Sequence, residues 1–511
     1  MRDQLKNPVF IISASVITIL VLIGAVNPEG FGTVAGALFN FTTVNFGWFY
    51  LISVFGFVIF LLALGLSKYG KIKIGPQDSK PEFPFFTWIG MLFSAGFGVG
   101  LVFWGVAEPM SHYFATPFSD LEAQTDEAAR VAMGYSFFHW GINQWSVFAI
   151  VGLLIAFLQF RKDKDGLVST ALEPVLGKSK PVKYTIDSLA VIATVMGIAT
   201  SLGLGILQMN GGLNAVFDVP NNTTIQLTIT AVLLILYLTS SSTGLNKGIK
   251  WLSNLNLGLC LVLLLFVFFA GPTVFILNSF TLGLGDYITN FVGYSLRLTP
   301  YEGGSWLREW TIFYWAWVIA WSPFVGAFVA RVSRGRTIRE FIFGVLIVPP
   351  LIACLWIATF GGTALNSDLN NGTKIAEAVN NDITIALFKT YEFLPMTGIL
   401  SFLSILLIAT FLITSADSAT YILASMTTNG SLTPALAIKI VWGLLMAAIA
   451  AVLLVAGGLD ALQTASLVSA LPFTVIIILF VYAFIKIIRK EPIPQRKEKA
   501  QYKEESKTAA K

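Results

Sequence analysis

Apolar residues in this chain do not alternate with polar ones. They run together in blocks of about 20, the length that crosses a bilayer as helix, and the blocks recur almost to the C-terminal end. Twelve can be drawn, at 9–26, 46–66, 84–104, 132–159, 184–216, 224–241, 250–270, 310–331, 340–362, 396–424, 434–456 and 467–488. Transmembrane strands would instead alternate over about ten residues. The pattern predicts an all-α polytopic membrane protein with about 12 transmembrane helices. The first block is too long for the apolar core of a signal peptide and lacks a small-x-small cleavage site, so it is read as a span.

Composition agrees. Of 511 residues, 55% are hydrophobic and 12% charged, with a mean hydropathy of +0.75. A soluble chain would carry roughly a quarter charged residues, and a single core could not hide so much apolar surface from water.

The net charge of +5 matters less than where its members fall. Arg2 and Lys6 precede the first block; Lys68, Lys71 and Lys73 follow the second. Arg161, Lys162 and Lys164 follow the fourth, Lys247 and Lys250 the sixth, and Arg331, Arg334, Arg336 and Arg339 the eighth. The opposite loops are poor in Lys and Arg, or mixed like the one holding Glu122, Asp126, Glu127 and Arg130. Basic residues favour the cytoplasmic side and anionic lipid, so both termini are expected inside a cell (inner or plasma) membrane. This scattered fringe argues against nucleic acid as a partner.

Two stretches stand apart. Residues 276–298 are moderately apolar and external, which fits an amphipathic helix on the membrane surface. The tail 489–511 is charged, with Pro492 and Pro494 near its start, and is expected to be cytoplasmic and solvated. Cys260 and Cys354 lie inside apolar blocks and read as unpaired. His112 and His139 show no metal-ligand spacing with Cys or an acidic cluster.

Five local patterns carry candidate chemistry. Ser94-Ala95-Gly96-Phe97-Gly98-Val99-Gly100 puts glycine at alternate positions of the third block. Each costs a straight helix roughly 1 kcal/mol relative to Ala. Such a run fits a broken helix whose free N–H groups meet a substrate carboxylate and whose free C=O groups meet a cation; it also fits close helix packing. Trp140, Trp145 and Phe148 share one face of the fourth block, and Trp315, Trp317 and Trp321 stand in the eighth. They fit either an interfacial belt or a cage for a quaternary ammonium, which donates no hydrogen bond and is held by cation–π attraction. Ser322-Pro323-Phe324 follows, and its proline is expected to loosen the helix and free a carbonyl. In the tenth block, Phe411 through Thr414, Ser415, Asp417 and Ser418 place oxygen donors at membrane depth, as a hard cation or a polar helix contact requires. The fifth block carries Thr200-Ser201 and no Lys or Arg between Lys183 and Lys247, leaving room for a mobile cation.

Together these residues resemble the betaine/carnitine/choline transporter family. The resemblance is carried by Phe313-Tyr314-Trp315-Ala316-Trp317 through Trp321-Ser322-Pro323-Phe324 to Arg331, Ser333-Arg334-Gly335-Arg336-Thr337 and Arg339-Glu340-Phe341. The glycine run with Trp104-Gly105 and Glu108-Pro109, the stretch Phe138-His139-Trp140, and Thr414-Ser415-Ala416-Asp417-Ser418 occur in the family's order. The resemblance spans nearly the whole chain. It implies a LeuT-like core of two inverted five-helix repeats, at 84–270 and 310–488, joined by the external segment 271–309. Residues 1–83 would add two helices in front, and the assembly would be a homotrimer.

The resemblance also implies site roles. Trp140, Trp145, Trp317 and Trp321 match aromatic positions around the trimethylammonium group. Phe148 stands where relatives often have Tyr, and Val318 where many have Trp. Backbone from Ala95 and Gly96 through Phe97 to Gly98 matches the carboxylate-binding segment. One sodium site uses carbonyls of Ser94, Phe97 and Phe411 with the hydroxyls of Thr414 and Ser415. A second lies near Thr200 or Ser201, with Phe324. Proton-coupled choline carriers of the family tend to have Asp where this chain has Gly100. The implied activity is sodium-coupled uptake of glycine betaine, with Na+ as coupling ion and no other cofactor. Choline, carnitine or proline betaine, by proton symport or exchange, is the alternative. A polytopic enzyme would need a catalytic pair or metal cluster that the scattered carboxylates and histidines do not form. A sensor would favour a large soluble domain.

Overall fold

A computed structural model describes residues 2–96, 98–243 and 246–493; the side chains of 2–3, 93–96, 243 and 246–250 lie outside that description. Among the described residues the chain is helical throughout, with no strand beyond an isolated bridge between Lys73 and Thr337. In the first half the helices are α1 (Arg2–Leu5), α2 (Pro8–Val26), α3 (Pro28–Leu66), α4 (Phe85–Gly96), α5 (Val99–Phe114), α6 (Asp126–Trp140), α7 (Ile142–Lys162), α8 (Val168–Leu176) and α9 (Lys180–Phe217). Then follow α10 (Thr223–Thr243), α11 (Asn246–Ala270), α12 (Thr273–Thr289), α13 (Phe291–Leu296) and α14 (Phe313–Val332). The last are α15 (Ile338–Asn371), α16 (Ile375–Asn381), α17 (Ala386–Tyr391), α18 (Thr397–Met426) and α19 (Leu436–Ile488).

Ten stretches among the described residues are long and apolar enough to cross a membrane. Two of the twelve expected spans are missing from that number for physical reasons. The third block is not one helix: it breaks between α4 and α5, so neither piece alone has the length to span. The last two blocks are two helices that run together as α19, meeting at a kink rather than at a loop. The chain changes direction at Gly458, whose φ of 57° and ψ of −127° suit only a residue without Cβ. The second span is also longer than predicted. Asn27 caps it, accepting from Gly30 N–H at 2.9 Å, with Pro28 in the first turn, and the helix starts 18 residues ahead of the apolar block at 46.

Burial sorts the helices into shells. The α6–α7 stretch is 94% buried along its most apolar window, but α2 only 28%. Leu22, Phe41 and Trp48 project outward from α2 and α3 as a lipid-facing surface would. Inside, α14 packs against α7 and α9, and α19 against α9 and α3. The polar ends are stapled. Thr337 and Glu340 form a reciprocal capping box at the start of α15. Residues 72–74 pair with 335–338 through Ile74 N–H to Arg336 O (2.8 Å) and Ile338 N–H to Ile72 O (2.9 Å). Just past α19, Glu491 is buried and pairs with Arg161 at 2.6 Å and with Lys162. Burial alone would raise its carboxyl; hydrogen bonds from Lys162 and Arg161 outweigh this and hold it below the ordinary range. Residues 494–511 of the expected tail lie outside the described residues. The expected external segment is α12 and α13, with α12 lying against α6 and α15.

Candidate substrate and cation site

The i, i+4 spacing of Phe313, Trp317 and Trp321 puts their rings on one face of α14. They stack as a ladder: Phe313 to Trp317 at 5.9 Å and 3°, Trp317 to Trp321 at 6.1 Å and 11°, continued by Phe324 at 6.1 Å. Trp140, at the end of α6, meets Trp317 edge-on at 6.2 Å. These rings are not at an aqueous interface; Trp140 and Trp317 are each 2% exposed. Pro323 sits within α14, and the carbonyl it cannot bond, that of Ile319, accepts from the Ser322 hydroxyl at 2.8 Å. The expected free carbonyl is therefore engaged within the helix.

Opposite the ladder is the break between α4 and α5. Gly98 caps α5 in an extended conformation without a side-chain cap. Leu101 N–H bonds back to Gly98 O at 3.1 Å, while the N–H groups of Val99 and Gly100, in the first turn of α5, have no intrahelical acceptor and suit an anion. Gly100 is where the two walls touch. A Cβ there would come within 2.5 Å of Trp317 Cη2 and 3.5 Å of Trp140 Cη2. Only glycine lets these indoles close on the α5 backbone.

A small cavity lies between Gly98–Leu101, Trp140, Trp317, Trp321, Ser201 and Ser415. Its 20 Å³ holds about one water, so the cage is closed in this conformation. A second cavity of 480 Å³ shares Gly98, Trp321, Phe324 and Ser415, and runs past Phe411 and Thr414 to Arg331, Asp417 and Lys439. A path from the cage thus opens toward the basic end of α14.

The other expected residues divide. Trp145 and Phe148 stand behind the cage: Phe148 meets Trp321 at 5.8 Å and Trp145 meets Phe148 at 5.6 Å, and neither lines either cavity. Thr414 donates to the Thr410 and Phe411 carbonyls. Ser415 faces both cavities. Thr200 turns away toward α19, where its hydroxyl meets Leu462 O at 2.8 Å and Ser466 Oγ at 2.7 Å. Ser201 faces the cage and accepts from Trp317 Nε1 at 3.3 Å. Ser94, Ala95 and Gly96 end α4, with side chains outside the description, and Phe97 lies outside the described residues.

One cluster went unread in the sequence. Glu108 and His112 on α5 meet His139 on α6, with ligand atoms within 4.8 Å of one another. The expectation that the histidines have no acidic partner is corrected here. One turn of helix joins Glu108 to His112, and a helix contact brings in His139, which no linear spacing shows. Glu108 Oε1 lies 2.6 Å from His139 Nδ1, while Oε2 accepts from Trp140 Nε1 at 2.9 Å and from the Tyr314 hydroxyl. His139 Nε2 meets Thr311 at 2.9 Å. All of these side chains are buried, and the carboxylate's work here is to fix the Trp140 ring against Gly100. A lone acid just past an apolar block, on the same helix, is the signal that could have found it.

Residues 8–493 match the profile of the BCCT, betaine/carnitine/choline family transporters. The chain belongs to that family. It is 68% identical over 489 residues to an ectoine/hydroxyectoine transporter of Virgibacillus pantothenticus, covering 96% of this chain and 98% of that one. It is 47% identical to the glycine betaine transporter OpuD of Bacillus subtilis, over 95% of each chain. A glycine betaine transporter of Acinetobacter baylyi is 40% identical, over 94% of this chain and 73% of that one. This family member is thus a multi-pass membrane transporter, not an enzyme, for a small quaternary-ammonium or related substrate.

Proposed function

We propose that this transporter takes up a zwitterionic compatible solute across the plasma membrane on a sodium gradient, with ectoine and hydroxyectoine first and glycine betaine second. The observation that carries this reading is the facing of indole walls and a helix N-terminus across one closed cage. Trp140, Trp317 and Trp321 suit a delocalised or quaternary cation, and the N–H groups after Gly98 suit its carboxylate. Both solutes combine those ends. Ectoine's planar amidinium unit, part of its ring, also suits the face of an indole. The 68% relative, an ectoine/hydroxyectoine transporter, moves ectoine ahead of the glycine betaine that the cage alone favoured.

Sodium coupling is supported by the oxygens of Phe411, Thr414 and Ser415, which suit a hard cation, and by Gly100 in place of a titratable group. The broken α4–α5 pair and the Pro-bearing α14 would open two inverted repeats, as in a LeuT-like core working by alternating access. With the basic loops and both termini inside, the 480 Å³ cavity faces the cytoplasm and this conformation faces inward. A homotrimer embedded in lipid completes the reading.

The test is uptake of radiolabelled ectoine and glycine betaine into proteoliposomes under an inward sodium gradient, an inward proton gradient, or neither. Accumulation of ectoine with sodium alone is expected. Proton-driven uptake, or uptake only against preloaded substrate, overturns the coupling; preference for glycine betaine reverses the substrate order. Ser415→Ala is expected to raise the sodium concentration for half-maximal uptake by about tenfold, the effect of losing one ligand of a charged group, with the maximal rate nearly kept. A fall in protein abundance alone would make Ser415 structural.

A further inference from the structure

One buried polar group beside the cation oxygens has no task in the fold. Asn256 on α11 is 4% exposed, and its Nδ2 donates to Thr414 Oγ1 at 3.2 Å. This amide orientation is the one that keeps every bond of Thr414. With Thr414's hydroxyl hydrogen shared by the Thr410 and Phe411 carbonyls, at 2.9 and 3.1 Å, its oxygen is left to accept from Asn256. Asn256 Oδ1 is then the other amide atom, and among the described residues it is buried with no hydrogen-bond partner. Asn256 nevertheless lines the 480 Å³ cavity together with Phe411, Thr414 and Ser415.

A carbonyl oxygen sealed from water and paired with nothing costs stability, and such groups in native proteins call for an explanation. Here the surroundings supply one. The two amide atoms share a carbon, so Oδ1 stands beside the hydroxyl that holds Nδ2. It is a hard, uncharged donor, the type that binds an alkali cation without neutralising it.

We propose that Asn256 Oδ1 is a ligand of the coupling cation, added to the oxygens of Phe411, Thr414 and Ser415. This rests on the sodium-coupled reading above. The consequence is mechanical. The cation would bridge α11 to α18, two helices that already pack together, so its binding and release would change the contact that walls the cavity. In the sequence Asn256 is one of two asparagines, with Asn254, in the apolar block 250–270.

Two substitutions at this position separate a ligand from a tether. Asn256→Leu removes the oxygen at similar volume. Asn256→Asp keeps an oxygen and adds negative charge. Both are read in purified full-length protein, without substrate, as the NaCl concentration giving half of the sodium-specific rise in Tm, with KCl as the control salt. They are then read as the sodium dependence of uptake. Asn256→Leu is expected to raise the sodium midpoint by at least about tenfold in both assays, while Asn256→Asp leaves it unchanged or lowers it. Equal weakening by both variants would make Asn256 a tether for Thr414 and overturn the proposal, as would no shift in either while the native protein still responds to sodium. Native protein that responds equally to NaCl and KCl would overturn the coupling reading itself, and the proposal with it.

Discussion

Trp317→Leu and Trp321→Leu each raise the substrate concentration for half-maximal uptake by about tenfold or more, with surface abundance unchanged. A desolvated cation–π contact is worth about 2 kcal/mol, and each 1.4 kcal/mol is a factor of ten in affinity. Leucine keeps apolar bulk and helix preference, so α14 keeps its packing against α7 and α9. What is lost is the electron-rich face toward the cage. Trp321 lines both cavities and Trp317 only the inner one. Trp317→Leu should therefore act on closed-cage affinity, and Trp321→Leu on that and on passage to the larger cavity. Trp145→Leu is the internal comparison. That ring touches Phe148 and lines neither cavity, so its effect on half-saturation should be smaller. Uptake measured against substrate concentration, normalised to protein at the surface, decides. A normal half-saturation in Trp317→Leu would remove that ring from the cage.

The span pattern was legible because lipid imposes one strong rule, that a backbone crossing it must be helical and apolar outside. Block length and the Lys/Arg fringe suffice for that. Length failed where a helix is not straight. The glycine run announced the α4–α5 break, and Gly457-Gly458 marks the kink in α19, but the apolar pattern did not show that its two halves would meet there without a loop. The ladder was legible as well, because α14 supplies its rings at a fixed i, i+4 repeat.

Contacts between helices were not legible. Trp145 and Phe148 share a face with Trp140 on paper. A break at Gly141, which caps α7 in an extended conformation, resets the helix there and places them behind Trp321. Thr200 and Ser201 are neighbours in sequence yet face different ways, one to α19 and one to the cage, as the rotation between successive helical residues requires. Glu108 needed α6 and α14 in place before its partners could be seen.

The second large effect concerns Gly100. Gly100→Ala should weaken substrate affinity by roughly five- to a hundredfold, the range of about 1–3 kcal/mol for overpacking a filled site. The added Cβ would lie 2.5 Å from Trp317 Cη2 and 3.1 Å from Cζ2, closer than carbon atoms tolerate. Trp317 cannot yield cheaply. It is held between Phe313 and Trp321, and its Nε1 donates to Ser201. The α5 backbone cannot retreat easily either, because Val102 O accepts from Gln208 on α9 at 3.0 Å. The clash is specific to one ring, so a smaller ring should relieve it. Gly100→Ala with Trp317→Phe should recover part of the affinity lost in Gly100→Ala alone, a coupling that a double-mutant cycle measures directly. If Gly100→Ala binds and transports normally, the indole does not close on α5 during transport. If both changes weaken binding additively, the two residues act apart. An Asp at this position would meet the same ring with its Cβ, so Gly100→Asp should weaken affinity at least as much as Gly100→Ala.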